Sequence, residues 1–385
     1  MGAQAYMQLG VSADKKDVRS AVKGRDGGLY PGAFCKIVAD MAGRDQWCTV
    51  MHSDGTGTKA SLAYVYWRMT GDLSVWHNLA FDALAMNVDD MACVGVTDDI
   101  LISALLNRNM RHIPADVVKA VIDGVYDGAA TLTQLGIRTI CCGGETADVG
   151  DLVRTLTFDV SAVANIQKKN VIDNSRIRPG DIIVGLASAG RCVYENRYNS
   201  GIGSNGLTLA RHTLLPERVG VMFPESFDAA VTTYAYQGNE MDDDELLATM
   251  RDLLSPTRIY APVTKAIASA GVDVHGMVHC TGGGMTKSRY STGAWHVVKD
   301  NLFPVPDIFR RIRAGMPYGD AREMYEVFNM GHLMEIYVAQ DDVDTVMDIA
   351  GRFGIDARPI GHVEESREPG CTTLVTPQGT FRYEN

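Results

Sequence analysis

The sequence predicts an α/β fold of the α+β type, divided into two domains. Apolar runs of strand length alternate with stretches of helical periodicity, which indicates sheets covered by helices. The length of 385 residues suits two domains of ordinary size. Pro179 and Gly180 predict a turn near the middle of the chain. We therefore predict one domain over residues 1–176 and a second over residues 177–385.

Strand-like runs are the clearest feature of the first half. Apolar segments of strand length occur at 47–51, 100–106, 137–142, 156–166 and 181–188. Helical patterns at 76–94 and 114–135 lie between them. The run at 181–188 follows the connector 174–181, so we expect it to open the second domain.

The second half predicts a further set of helices and strands. Helices are expected from about 205 and at 244–254, 260–270, 305–314 and 341–353, and strands near 273–280 and 333–339. The stretch 216–245 is irregular and acidic toward its end, which is typical of an insertion.

Composition excludes several classes of protein. Hydrophobic residues make up 46% and charged residues 22%, which is globular usage. No apolar run approaches the ~20 residues that cross a bilayer, and the start lacks a secretory pattern, so we expect a cytoplasmic protein without a membrane segment. Eight cysteines without a CxxC pair predict reduced thiols rather than a zinc site or a disulfide framework. The net charge of −11 argues against nucleic acid as the main partner, although it leaves an anionic small molecule possible.

A glycine-rich loop follows the first predicted strand, at His52 to Lys59. Its glycines would let backbone N–H groups approach phosphate oxygens, while Asp54 offers an oxygen to Mg²⁺. It is not a Walker A loop, because Thr58 rather than glycine precedes Lys59. The alternative is a simple turn that carries a solvated acid.

The helical stretch 76–94 places acids among apolar residues. Asp82 and Asp89 are seven apart and share a face, and Asp90 lies about 80° round the helix. Carboxylates on an otherwise apolar helix need a cation, and a hard metal such as Mg²⁺ is a natural one. An exposed acidic stripe remains the alternative.

Three further glycine segments stand at strand or helix ends. Gly143 to Asp148 follows a predicted strand and contains Glu145, which would give a third acidic segment to one metal site. Gly201 to Gly206 precedes a helix, and Thr281 to Gly284 follows a strand, so each could hold an anion. Helix capping and a tight turn are the plainer explanations of these two. His275 and His279 show no metal-binding pattern, and we interpret both as structural.

In this order, these segments and their neighbours resemble the phosphoribosylformylglycinamidine cyclo-ligase family, the aminoimidazole ribonucleotide synthetases, from about residue 10 to residue 363. The matching segments are 53–59, 82–90, 143–147, 179–181, 204–206, 254–260, 281–284 and 323–331. The resemblance implies a two-domain PurM-like architecture and a homodimer in which the N-terminal sheets pair as a barrel. It also implies an ATP site in the cleft between the domains.

The resemblance further implies site residues and cofactors, namely ATP and Mg²⁺. The catalytic residues would be Lys59, Asp90 and Glu145. The nucleotide contacts would be Asp54, Gly55, Gly57, Thr58, Lys59, Asp82, Asp89 and Thr146. The metal ligands would be Asp54, Asp90 and Glu145. The contacts to a phosphorylated ribonucleotide substrate would be Ser204, Asn205, Gly282, Gly283 and Gly284.

The chain departs from the family pattern at two places. Asp89 stands where the family usually has asparagine, and Gly203 stands where it usually has histidine. An extra segment precedes Gly203. Its residues Tyr194, Glu195, Arg197 and Tyr198 could replace the histidine, or the segment could be a loose surface insertion.

The activity implied is ATP-dependent closure of an imidazole ring, with the formamide oxygen of the substrate phosphorylated and then expelled as phosphate. Two alternatives remain open at this point. One is a sister ATP-using enzyme, such as a selenophosphate synthetase, a thiamine-phosphate kinase or a hydrogenase-maturation dehydratase. The other is a non-catalytic nucleotide-binding relative.

Overall fold

Two separate β-sheets, each with helices packed on it, organise the chain. The structure is a computed structural model that describes residues 4–12, 16–231, 235–316, 320–366 and 370–384. The strands are β1 (Ile37–Ala39), β2 (Trp47–Gly55), β3 (Ile100–Arg108), β4 (Thr139–Asp148), β5 (Leu156–Gln167), β6 (Ile182–Ala187), β7 (Gly276–His279), β8 (His296–Lys299), β9 (His332–Val338), β10 (Ala357–Glu364), β11 (Cys371–Thr376) and β12 (Gly379–Tyr383).

The helices come from both halves of the chain. They are α1 (Gln4–Gln8), α2 (Lys16–Val22), α3 (Lys59–Thr70), α4 (Ser74–Ala92), α5 (Ala115–Gln134), α6 (Leu207–Leu214), α7 (Glu217–Met222), α8 (Asp243–Leu253), α9 (Ala261–Ser269), α10 (Asp307–Gly315), α11 (Ala321–Val327) and α12 (Val343–Arg352). Among the described residues, no helix is both long enough and apolar enough to cross a membrane.

The first sheet has the order β1-β2-β5-β3-β4, with β3 and β4 parallel and its other neighbours antiparallel. Helices α4 and α5 pack together, and α4 also packs on β2 and β5. Along β5, buried positions alternate with more exposed ones, because one face of the sheet meets the helices. Most side chains of α4 are buried, since the helix also touches α9 and β7 of the second half.

The second sheet has the order β12-β11-β8-β10-β6-β9-β7. Helices α9 and α12 pack together, and α12 covers β6 and β10. The two sheets are joined by residues 168–181. The first helix, α1, does not stay with the first sheet: it packs on α6, and the Tyr6 N–H donates to Glu323 Oε1 at 2.9 Å.

The predicted mixture of helices and strands in two domains is confirmed. Every strand and helix predicted above has a counterpart within a few residues. Helices α1, α3 and α11 and strands β1, β8, β10, β11 and β12 were not anticipated. The stretch 216–245, expected to be irregular, contains α7 and the start of α8.

Two glycines let α5 lie close against α4. A Cβ at Gly124 would stand 2.8 Å from the Cα of His77 and 2.9 Å from the Cβ of Ala80. A Cβ at Gly128 would stand 2.5 Å from Leu84 Cδ1. The close packing of the two helices therefore depends on having glycine, without a Cβ, at both positions.

We predict that Gly124→Ala destabilises the protein by about 1–3 kcal/mol, because overpacking outweighs the gain in helix propensity. Gly351→Ala is the matched control. That glycine is exposed on α12 with nothing within 4 Å of an added Cβ, so the same change should stabilise by about 0.5–1 kcal/mol. Urea unfolding measures both, and equal effects of the two changes would contradict the proposed packing.

Candidate active site between the glycine loop and helix α4

The glycine loop connects the end of β2 to the start of α3. Gly55 has no room for a side chain, since its Cβ would stand 1.9 Å from Asp159 Oδ1. Gly57 has a φ of +51°, in the left-handed region that favours glycine. The Thr56 N–H donates to the Phe158 carbonyl at 3.1 Å, which ties the loop to β5. The loop thus presents Asp54 at a defined place at the end of β2.

Two acids and two histidines from distant parts of the chain meet beside this loop. The ligand atoms of His52, Asp54 and Asp90 all lie within 4.8 Å of one another. Asp90 Oδ2 is 3.3 Å from His52 Nε2, and Asp90 Oδ1 is 2.6 Å from His279 Nδ1. The first domain supplies His52, Asp54 and Asp90, whereas His279 ends strand β7 of the second.

The charges in this group oppose one another. Burial and the neighbouring Asp90 charge raise the pKa of Asp54. Burial also acts to raise the pKa of Asp90, but the Lys287 ammonium and the hydrogen bonds from His279 and His52 outweigh it and hold that pKa below its ordinary value. Burial lowers the pKa of His52, and Asp90 more than offsets this effect, so the net shift is upward. Two close carboxylates that disfavour each other's charge suit a divalent cation with oxygen ligands, so the residues fit Mg²⁺.

The second glycine loop, 281–284, lies next to this group. His279 precedes the loop and Lys287 follows it, and the Lys287 amine donates to Thr281 Oγ1 at 2.6 Å while lying 4.5 Å from the centre of the Phe34 ring. Gly284 has a φ of +52°, and its Cβ would stand 2.5 Å from the Phe328 carbonyl oxygen. His279, interpreted above as structural, contacts Asp90, one of the predicted metal ligands, through its ring.

Lys59 forms a buried ion pair with Asp82. Its amine is fully buried and donates to Asp82 Oδ1 at 2.9 Å, to the Ser255 carbonyl at 2.7 Å and to the Gly203 carbonyl at 3.3 Å. Asp82 also accepts from the Thr257 N–H at 2.6 Å. The predicted catalytic and phosphate roles of Lys59, and the nucleotide contact of Asp82, stay predictions, and in this structure the two side chains contact each other. The two residues form a buried ion pair between the domains.

Asp89 also connects the first domain to the second. Its Oδ1 accepts from the N–H groups of Tyr260 and Ala261 at 2.9 and 2.8 Å, at the start of α9. Burial raises the pKa of Asp89 to about 7, against the opposing effects of His279 and the two N–H groups. The carboxylate thus contacts the second domain, and the predicted nucleotide contact of Asp89 stays a prediction.

Comparison with known domain families covers most of the chain. Residues 33–166 match the family described as AIR synthase related protein, N-terminal domain, and residues 178–373 match its C-terminal domain. The chain belongs to the AIR synthase related family. The site above thus lies where the two domains of this family meet.

Curated relatives within the family carry one name. The phosphoribosylformylglycinamidine cyclo-ligase of Thermococcus kodakarensis is 30% identical over 358 residues, which is 90% of this chain and 92% of the relative. The protein of that name from Pyrococcus furiosus is 32% identical over 81% of this chain and 78% of its own length. The one from Lachnospira eligens is 30% identical over 95% of both chains.

Solved structures share the fold at lower identity. The structure of T. maritima PurL complexed with ATP aligns with a TM-score of 0.55 and 14% identity, over 99% of this chain and half of that chain. The tt0281 structure from Thermus thermophilus aligns with a TM-score of 0.54 and 16% identity, over 94% of this chain and 96% of that one. At these identities the likeness shows the PurM-like fold alone.

Glu145 and Thr146 lie apart from the acidic group within one chain of this AIR synthase related protein. They belong to β4, at the edge of the first sheet, and Glu145 is exposed. Strands β5 and β3 separate β4 from β2, so the backbones of Glu145 and Asp54 are about 14 Å apart at ordinary strand spacing. Within one chain Asp54 and Asp90 therefore lie together with His52 and His279, and the predicted metal role of Glu145 stays a prediction.

The segment that carries Ser204 and Asn205 is held from several sides. The Ser204 hydroxyl is 2.7 Å from that of Thr257, and Asn329 Nδ2 donates to the Gly201 carbonyl at 2.8 Å. Gly203, where the family usually has histidine, has a φ of +69°. The substrate role of Ser204 and Asn205 stays a prediction.

The extra segment before Gly203 is anchored rather than loose. Glu195 pairs with the buried Arg258 at 2.6 Å, and the Tyr194 hydroxyl donates to the Ile259 carbonyl. Arg197 and Tyr198 are exposed. The segment therefore stabilises residues 254–260. Lys59, Asp82 and Asp89 also form hydrogen bonds to this stretch.

We predict that Lys59→Met and Asp82→Leu each cost about 3–5 kcal/mol of stability, because each leaves a buried charge without its partner. The double variant should recover most of that loss. The surface pair Lys119 and Asp123 on α5 is the control, and the same cycle there should give a coupling of about 0.3–0.5 kcal/mol. Denaturant unfolding of the four variants in each cycle measures the coupling, and similar values for the two pairs would contradict a structural role of Lys59.

Proposed function

We propose that this protein closes the imidazole ring of aminoimidazole ribonucleotide. The reactants are formylglycinamidine ribonucleotide and ATP, and ADP and phosphate are released, as a step of purine biosynthesis. The observation that carries the proposal is the near full-length identity of about 30% to curated phosphoribosylformylglycinamidine cyclo-ligases. A cytoplasmic location is part of the proposal, since ATP and phosphorylated nucleotides are available there.

The chemistry requires that an amide oxygen leave while an amidine nitrogen attacks the same carbon. Hydroxide leaves poorly, so transfer of the γ-phosphoryl group of ATP to this oxygen makes a better leaving group. We propose that Asp54 and Asp90 hold Mg²⁺, which supplies charge neutralisation for the phosphates when it is bound. His52 and His279 hold Asp90 in place, and Lys287 adds a positive charge beside it.

Two further observations support ATP as the phosphoryl donor. A protein of the same fold, T. maritima PurL, is known in complex with ATP, and AaThiL in complex with AMPPCP and TMP. In this chain the glycine loop 55–57 directly follows Asp54, so the loop lies next to the acidic pair. We propose that the triphosphate lies along this loop.

We expect Asp54→Asn and Asp90→Asn each to lower the rate of aminoimidazole ribonucleotide formation at least about 100-fold, because the metal loses a charged ligand. Asp45→Asn is the control, as that acid is exposed in a loop away from the site. The assay follows product and ADP with purified protein, the ribonucleotide, ATP and Mg²⁺. Wild-type protein that is inactive here, but phosphorylates selenide or thiamine phosphate, would replace the proposed reaction with that of a sister enzyme.

We also propose a homodimer formed through the open face of the first sheet. Met51, Val163, Leu101 and Ile140 are paired in register and make one row across β2, β5, β3 and β4. Met51 is 62% exposed, Leu101 43% and Ile140 37%, which leaves an apolar row uncovered in the single chain. Any contribution of Glu145 to a metal bound at Asp54 requires a second copy, because the two acids of one chain are too far apart.

Leu101→Arg should convert the protein to monomers, because it places a charge in the middle of this apolar row. Met110→Arg is the matched control, since Met110 is 66% exposed but lies in the loop after β3. Light scattering on a sizing column measures the mass of both. A Leu101→Arg variant that keeps the wild-type mass would rule out this face as the interface.

A further inference from the structure

A cavity borders the glycine loop at Gly57 and Thr58. This cleft has a volume of about 540 Å³. It is bounded by Gly57 and Thr58 of the loop, by Thr208 and Arg211 of α6, and by the segment 225–231. That segment belongs to the stretch interpreted above as an insertion.

Arg211 is the unusual residue of this cleft. Its side chain is 3% exposed, and its Nη1 donates to the Ser226 carbonyl and to the Tyr236 hydroxyl. Its Nε is buried without a hydrogen-bond partner. Within the described ranges no carboxylate lies within 4.0 Å of its guanidinium nitrogens. A buried cation without a counter-ion is costly, so an anion in the cleft would stabilise it.

The acids that line the cleft interact with groups other than Arg211. Glu225 accepts hydrogen bonds from Tyr64 and Arg68, and Asp228 pairs with Arg154 at 3.3 Å. Asp159 faces the glycine loop at Gly55, and burial together with the Asp54 charge raises its pKa. These acids therefore do not neutralise Arg211.

Hydroxyl groups complete the polar lining near Arg211. The Thr58 and Thr208 hydroxyls are 2.7 Å apart and hydrogen-bond to each other, so one O–H of the pair is left to donate to a ligand. Thr208 precedes Arg211 by three positions on α6, so the two side chains share one side of that helix. Hydroxyl donors beside a guanidinium are a usual environment for phosphate oxygens.

We propose that this cleft binds a phosphate group through the Arg211 guanidinium, assisted by the hydroxyls of Thr58 and Thr208. The inference rests on the proposed function, in which both reactants carry phosphate: ATP in its triphosphate and the ribonucleotide in its 5′-phosphate. The glycine loop then contributes to two binding sites, namely the metal site at Asp54 and the phosphate subsite at Thr58.

The test is a set of titrations by calorimetry on the full chain. Wild-type protein, Arg211→Gln and Thr208→Val are each titrated with AMPPCP plus Mg²⁺ and, separately, with formylglycinamidine ribonucleotide. Arg218→Gln is the matched control, because Arg218 also braces the insertion, through Asp243 and the Met241 carbonyl, without lining the cleft. Melting temperatures of all variants report damage to the fold.

We expect Arg211→Gln to weaken one of the two ligands about 10- to 100-fold, and Thr208→Val to weaken the same ligand by a smaller factor. Loss for AMPPCP assigns the subsite to the triphosphate, and loss for the ribonucleotide assigns it to the 5′-phosphate. Arg218→Gln should leave both affinities unchanged. Affinities of Arg211→Gln and Thr208→Val within about threefold of wild type for both ligands would overturn the proposal.

The phosphate subsite and the proposed reaction can fail independently of each other in these experiments. If the wild-type protein binds both ligands but makes no aminoimidazole ribonucleotide, the proposed reaction fails while the subsite is still tested. If Arg211→Gln lowers the melting temperature and Thr208→Val binds both ligands as the wild type does, Arg211 only holds the insertion in place. That result overturns the subsite and leaves the proposed reaction untouched.

Discussion

The structure depends on how helix α4 is held between the two domains. The helix buries three acids, and each meets a defined partner. Asp82 takes the Lys59 ammonium and the Thr257 N–H, and Asp89 accepts two N–H groups at the start of α9. Buried carboxylates are tolerated only when they are paired, so the relative position of the domains is strongly constrained by these contacts.

The contacts of Asp82 and Asp89 also fix the position of Asp90, the third acid of α4. Asp90 follows Asp89 directly, and the docking of Asp89 onto α9 brings Asp90 to the end of β7, where His279 contacts it. The glycine loop approaches from the opposite side and supplies Asp54 and His52. The candidate metal site is thus a consequence of the domain contact, and the acids that look alike in the sequence have different tasks.

Much of this could be predicted from sequence, and the rest could not for identifiable reasons. Strands such as β2 and β5 are long and apolar, so periodicity finds them, whereas β8 is four residues long and α3 begins inside the glycine motif. Motif order indicated the acids at 54 and 90 correctly as neighbours. The contacts of Lys59 and Asp89 could not be predicted from sequence, because their partners Ser255 and Tyr260 lie more than 150 residues away along the chain. For His279, its place just before the second glycine loop was the signal that could have been used.

The division of the acidic group between the domains has an evolutionary consequence. Asp54 and Asp90 come from one sheet and its helix, whereas His279 and Lys287 come from the other half of the chain. A gene fragment for either half would therefore encode a complete sheet with an incomplete site. A half exchanged for that of a distant relative would therefore need partners for the buried acids Asp82 and Asp89 at the domain contact, in addition to the residues of the site.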